Sequence, residues 1–156
     1  MTNNGIRLNR KETFSVSMVL FIGLFYVLSL ATSLFQTQSI PVNKLFGLTE
    51  GKFLLLSIIY CSGAISFFRK KNIGWIICAA TLLNFVVVVF KGVLNVSQSQ
   101  RFDAYAAMVI SFFLLLLMAL LFLFNKKTRS KFLVNNKSYL FTIVVYVTLL
   151  LITFLL

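Results

Sequence analysis

Two polar side chains interrupt the apolar stretch TLLNFVVVVFKG at residues 81–92. Asn84 carries an amide that donates and accepts hydrogen bonds, and Lys91 carries a positive charge. On a helix the two residues are separated by about 10 Å along the axis and lie on nearly the same face. An amide in apolar surroundings costs several kcal/mol unless it finds hydrogen-bond partners. Asn84 therefore indicates either a structural hydrogen bond or part of a binding site.

Hydroxyl groups on neighbouring apolar stretches are the side chains that could share a site with Asn84. The turn RKKN at 69–72 predicts an antiparallel hairpin, which brings Ser57 level with Asn84 and Tyr60 one turn further in. If the hydroxyl stripes converge, they form a shallow pocket that opens outward and carries the charge of Lys91. Close helix packing is the competing interpretation, because small residues also let helices approach. The predicted intramembrane polar patch comprises Asn84, Lys91, Ser57, Tyr60, Tyr26, Ser29 and Tyr146.

Residues that perform catalysis are scarce. General acid–base catalysis needs a group that titrates near the working pH, most often His or a carboxylate, and the chain has no His and three acids, Glu12, Glu50 and Asp103. These acids are expected at the ends of the apolar stretches, where they cannot serve as bases for a buried Ser or Cys nucleophile. Cys61 and Cys78 lie in apolar segments without metal or redox spacing. We therefore expect no enzyme activity, no catalytic residue, no metal site and no cofactor.

The elements that carry these residues are predicted to be transmembrane helices. The chain has 156 residues, 60% of them hydrophobic, with a mean hydropathy of +0.97, whereas a soluble domain is typically about half apolar. About 20 apolar residues cross the hydrocarbon layer as a helix. The sequence predicts an all-α integral membrane protein, a single membrane domain over 1–156 without a soluble domain. Its first span is expected to stay uncleaved, and its five spans are 14–35, 53–68, 73–94, 104–124 and 139–156.

The basic residues predict the orientation of the chain. Eleven of the 15 Lys and Arg residues lie in alternate connections, namely the N-terminus, 69–72 and 125–137. Because such residues are retained on the cytoplasmic side, the N-terminus is predicted inside and the C-terminus outside. Trp75 and Tyr139 are expected at the inner boundary. The richness in Phe, Ile, Asn and Lys is typical of AT-rich bacterial genomes, so the expected location is a bacterial cytoplasmic (inner) membrane.

The net charge of +12 predicts a negatively charged partner. Because the basic residues are grouped between apolar stretches, this partner is expected to be anionic lipid on the cytoplasmic side, where each cation is attracted by about 1 kcal/mol. Nucleic acid is not expected. The predicted lipid contacts are Arg69, Lys70, Lys71, Lys126, Lys127, Arg129 and Lys131.

Three functions fit a chain with so little reactive chemistry. The leading one is a non-enzymatic membrane subunit that packs its helices against a protein partner, as an accessory, immunity or defence-system component. The partner is another membrane protein or a second copy. The alternative is a homo-oligomeric pore or small-solute conduit, with Lys91 at the outer mouth favouring anions. A second alternative is a binder of lipid or polyisoprenoid that uses the outward pocket.

Overall fold

The computed structural model describes residues 8–36, 48–69, 71–98 and 104–155, and it contains no β-strand within these ranges. The prediction of an all-α fold is confirmed. Within the described ranges the chain forms six helices, α1 (Arg10–Gln36), α2 (Leu48–Phe68), α3 (Asn72–Gln98), α4 (Ala104–Leu123), α5 (Lys126–Lys131) and α6 (Asn136–Leu155).

Five of these helices are long and apolar enough to cross a membrane, which confirms the predicted number of spans. Helix α5 has only six residues and cannot cross. Several helices extend beyond their predicted apolar stretches because backbone hydrogen bonds continue through polar residues. The spans in the structure are Arg10–Thr32, Gly51–Phe68, Asn72–Leu94, Ala104–Leu123 and Asn136–Phe154.

Helix α3 lies at the centre of the bundle. It packs against α1, α2, α4 and α6, and α1 also packs against α2 and α4. Its inward side chains include Trp75, Cys78 and Leu82, each fully buried. Large apolar side chains remain exposed on all five long helices, as expected where the surrounding solvent is hydrocarbon rather than water.

The predicted α2–α3 hairpin is present and closely packed. The Lys71 amide donates to the Ser66 carbonyl at 3.0 Å, and the Gly74 amide donates to the Lys71 carbonyl at 2.9 Å. A Cβ atom on Gly74 would overlap the backbone of Ser66 and Phe67. Glycine is therefore needed where the two helices first touch.

The connection between α4 and α6 folds over one end of the bundle. This segment, residues 124–135, contains α5 and a reversal at Leu133, whose φ of 52° is left-handed. Phe132 is buried, and its ring lies 4.3 Å from that of Phe67, centroid to centroid. The sequence predicted only a basic connection here. We call this end, where α1, α3 and α6 begin and α2 and α4 end, the basic end.

Candidate functional site

Asn84 lies at a junction of three helices. Its side chain is fully buried, and its Nδ2 donates to Tyr60 Oη at 3.4 Å and to Thr153 Oγ1 at 3.1 Å. These bonds connect α3 with α2 and α6. Asn84 Oδ1 is buried without a hydrogen-bond partner among the described residues. The amide is thus a structural connection that leaves one acceptor unused.

Aromatic rings surround this junction on the side of α1. Tyr26 lies 5.6 Å from Tyr60 and 5.9 Å from Phe85, measured between ring centroids, and both pairs are edge to face. Tyr60 and Phe85 also form an edge-to-face pair at 6.0 Å. This geometry is typical of a packed aromatic core. The structure therefore brings Tyr26, Tyr60 and Asn84 together, but as packed side chains.

The predicted serines form hydrogen bonds within their own helices. Ser57 Oγ donates to the Leu54 carbonyl at 2.8 Å, and Ser29 Oγ donates to the Phe25 carbonyl at 2.9 Å. Such local bonds satisfy a hydroxyl inside a helix without a partner from another helix. Tyr146 is half-buried and packs against the core from α6.

Lys91 lies on α3 at the end of the bundle opposite the basic end. Lys91 is exposed, and its ammonium lies 3.9 Å from the centroid of the Phe154 ring on α6. A cation over an aromatic face at an exposed site gains about 0.5–1 kcal/mol. This contact holds Lys91 against α6 at the bundle surface.

An ion pair that the sequence did not predict joins α1 to α5. Lys131 Nζ lies 2.6 Å from Glu12 Oε2, and the two side chains are 16% and 5% exposed. The same carboxylate accepts the Asn9 amide at 2.8 Å at the start of α1. The spacing of Asn9 and Glu12 is typical of a helix N-terminus, but nothing in the sequence identifies Lys131 as a partner. Glu12 is thus buried, and the predicted lipid contact Lys131 is engaged within the protein.

Side chains from three helices bond the last turns of α4. Ser15 Oγ donates to the Ala119 carbonyl at 2.8 Å, and Trp75 Nε1 donates to the Leu123 carbonyl at 3.1 Å. Thr128 Oγ1 donates to the Phe122 carbonyl at 3.1 Å. The last four carbonyls of a helix lack partners within it, so the bonds to Phe122 and Leu123 satisfy the end of α4, and the Ser15 bond joins α1 to the preceding turn. Trp75 also lies at this end, where it is buried in the bundle.

The other predicted lipid contacts also lie at the basic end, apart from Lys70, which falls outside the described residues. Arg69, Lys71, Lys126 and Lys127 are exposed there. Arg129 is half-buried, and its guanidinium donates to Tyr139 Oη at 2.6 Å. Binding of these residues to lipid stays a prediction.

An apolar cleft separates α1 from α4 away from the basic end. The two helices touch near the basic end, where the Phe14 and Phe122 rings lie 6.0 Å apart, centroid to centroid. Further along they leave a cleft of about 460 Å³ with α3 as its floor. We call this the α1–α4 cleft; it is lined by Phe21, Ile22, Phe25, Phe85, Val89, Gly92, Tyr105, Met108, Val109 and Phe112.

Within the described ranges no group of three or more His, Cys, Asp or Glu side chains could hold a metal ion. No protein-family model matches the chain, and no curated protein or solved structure is significantly similar to it.

Proposed function

We propose that this chain is a non-catalytic membrane subunit that binds a transmembrane helix of a protein partner in the α1–α4 cleft. An accessory, immunity or defence-system component of a bacterial inner membrane would work in this way, with the basic end on the cytoplasmic side. The observation that carries the proposal is the cleft itself, an apolar recess between two helices that pack together near the basic end.

The composition of the cleft supports a protein occupant. Phe21 and Phe25 on α1 are each 58% exposed, and Tyr105 and Met108 on α4 are 60% and 62% exposed. Aromatic residues and Met are enriched at protein interfaces. Gly92 on the floor permits close approach of a helix, as small residues do in membranes. An incoming apolar helix would bury these side chains without placing a charge in the bilayer.

The hydrogen bonds of the polar side chains favour packing over a conduit. Asn84 is bonded to Tyr60 and Thr153, and Ser29 and Ser57 are bonded to their own helices. A conduit would need such groups to face a shared aqueous path. Their engagement within the bundle supports a partner-binding role.

Photo-crosslinking in native membranes tests the proposal. A benzophenone side chain at Met108 should form one discrete adduct with a partner protein, whereas the same probe at Ile143, which is 57% exposed on α6, should not. Gly92→Leu should fill the cleft and abolish the adduct. Gly92→Ala is the matched control, because its Cβ meets only Val109 Cγ1, at 3.5 Å, and should preserve it.

Two results would overturn the proposal. Equal adducts at Met108 and Ile143 would indicate random collision, and an adduct unaffected by Gly92→Leu would place the partner elsewhere. An adduct of two copies would identify the partner as the chain itself. Protein abundance in the membrane is measured in parallel for each variant.

A further inference from the structure

A second recess lies at the basic end between α3 and α6, on the far side of α3 from the α1–α4 cleft. Its volume is about 470 Å³, within the roughly 300–1,000 Å³ typical of small-ligand sites. We call it the α3–α6 groove; it is lined by Asn72, Ile73, Ile76, Ile77, Asn135, Lys137, Ser138, Phe141 and Val145.

The groove changes from polar to apolar along the helix axes. Asn72 on α3 and Ser138 on α6 lie at the basic end, where Asn72 Nδ2 donates to Ser138 Oγ at 2.9 Å. Phe141 and Val145 follow one and two turns further along α6, so the apolar wall reaches about 10 Å beyond Ser138. Ile73 forms the facing wall on α3 and is 55% exposed. This gradient matches a molecule with a polar head and an apolar chain.

The polar part of the groove suits a phosphate. Lys137 is exposed, and no carboxylate among the described side chains pairs with it. It lies in the first turn of α6, where the helix dipole favours negative charge. The nearby Asn72 Oδ1 is buried without a hydrogen-bond partner in the described part of the chain, so a headgroup that carries a hydrogen-bond donor would complement it.

We propose that the α3–α6 groove binds one anionic phospholipid of the leaflet at the basic end. Its phosphate lies beside Lys137, its headgroup hydroxyl donates to Asn72, and an acyl chain follows Ile73, Phe141 and Val145. Phosphatidylglycerol has this chemistry, whereas the choline of phosphatidylcholine has no N–H or O–H donor. The site is independent of the α1–α4 cleft and of the partner proposed for it.

Native mass spectrometry of the detergent-solubilised full chain, titrated with phosphatidylglycerol, tests this site. One lipid should bind more tightly than the rest, and more tightly than phosphatidylcholine does. Lys137→Ser should weaken this first binding about fivefold, the effect of removing one cation near a lipid phosphate. Lys11→Ser is the matched control, because Lys11 is exposed in the first turn of α1 outside the groove, and it should leave the first binding unchanged.

A second pair of variants tests the apolar wall. Ile73→Trp should fill the groove and remove the tight binding, whereas Ile58→Trp, at a residue 58% exposed on α2, should not. Circular dichroism confirms that each variant is folded. Equal losses for Lys11→Ser and Lys137→Ser, equal binding of phosphatidylcholine, or displacement of the lipid by inorganic phosphate would each overturn the proposal.

Discussion

At the scale of single residues, Asn84 determines how three helices meet. Its amide joins α2, α3 and α6 through Tyr60 and Thr153. Cross-helix hydrogen bonds within membranes contribute about 0.6 kcal/mol on average. Two such bonds add little to stability, but they favour one rotational setting of the helices over others. The unused Asn84 Oδ1 reduces the net gain further.

Asn84→Leu should therefore leave the protein inserted and abundant, with the free energy of unfolding lowered by about 1 kcal/mol. Unfolding in mixed micelles with increasing SDS measures this change. Thr153→Val removes one acceptor alone and should cost about half as much. Loss of the protein from the membrane after Asn84→Leu would contradict this prediction and show that the amide is essential for folding.

The Glu12–Lys131 pair is the stronger residue-scale interaction. Breaking a buried ion pair by removing one partner typically costs about 3–5 kcal/mol, and we expect the lower end for Glu12→Ala because Lys131 is partly exposed. The double variant Glu12→Ala with Lys131→Ala should lose less than the sum of the single changes, by about 0.5–3 kcal/mol. SDS titration of the unmodified chain, the two single variants and the double variant completes this double-mutant cycle.

Lys127→Ala is the control for loss of charge at the basic end, since Lys127 is exposed on the same short helix. Its stability should equal that of the unmodified chain within about 0.5 kcal/mol. Strictly additive effects of the Glu12 and Lys131 changes would show that the pair contributes no coupling.

At the scale of elements, close backbone approach determines the α2–α3 hairpin. The turn is closed by the bond from the Lys71 amide to the Ser66 carbonyl, and α3 can lie against α2 because Gly74 has no side chain. The 124–135 segment instead depends on side chains, since Phe132 packs on Phe67 and Thr128 bonds the end of α4. An added Cβ atom at Gly74 would therefore disrupt the hairpin, whereas removal of the Phe132 ring would disrupt the packing of the 124–135 segment.

Gly74→Ala should separate the start of α3 from α2, because the added Cβ overlaps backbone atoms that cannot rotate away. We expect a loss of unfolding free energy of about 1–3 kcal/mol, the usual range for overpacking. Gly92→Ala is the matched control, since its Cβ makes an ordinary contact at 3.5 Å with Val109. Equal stability of the two variants by SDS titration would refute the close approach.

Phe132→Ala should release the 124–135 segment from the bundle. Removing a buried Phe typically costs about 3–5 kcal/mol, and Phe132 is only 1% exposed. The neighbouring Leu133, which is 79% exposed, provides the control, and Leu133→Ala should leave this contact intact. Limited proteolysis should cut the segment faster only in Phe132→Ala; equal cleavage rates would contradict the packing role.

At the scale of the whole molecule, charge is distributed unequally between the two ends. Exposed Arg69, Lys71, Lys126 and Lys127 lie at the basic end, whereas Lys91 lies near the opposite end. Retention of Lys and Arg on the cytoplasmic side would place the basic end inside the cell. The proposed lipid site is tied to this orientation, because the α3–α6 groove would then face the inner leaflet.

Reporter fusions test the orientation. Alkaline phosphatase, active outside the cytoplasm, should be inactive when inserted after Lys71 and active when fused after Leu156. A cytoplasmic reporter at the same two positions should give the opposite pattern. Equal activity at both positions would contradict an odd number of crossings between them. An exchanged pattern would place the basic end outside.

Hydropathy alone determined that this chain is helical and has five segments able to cross a membrane, because each span must be apolar along its own length. The short RKKN turn determined that α2 and α3 are neighbours. These are local properties, and the structure confirms both.

The tertiary structure decided most of the contacts between side chains. Nothing in the sequence predicted that Lys131 would pair with Glu12 or that Trp75 would bond Leu123. In a soluble helix an apolar stripe marks the inward face, but helices in lipid are apolar all round, so the pattern leaves their rotation undetermined. Close contacts and a few hydrogen bonds set that rotation, and they exist only once the bundle has assembled.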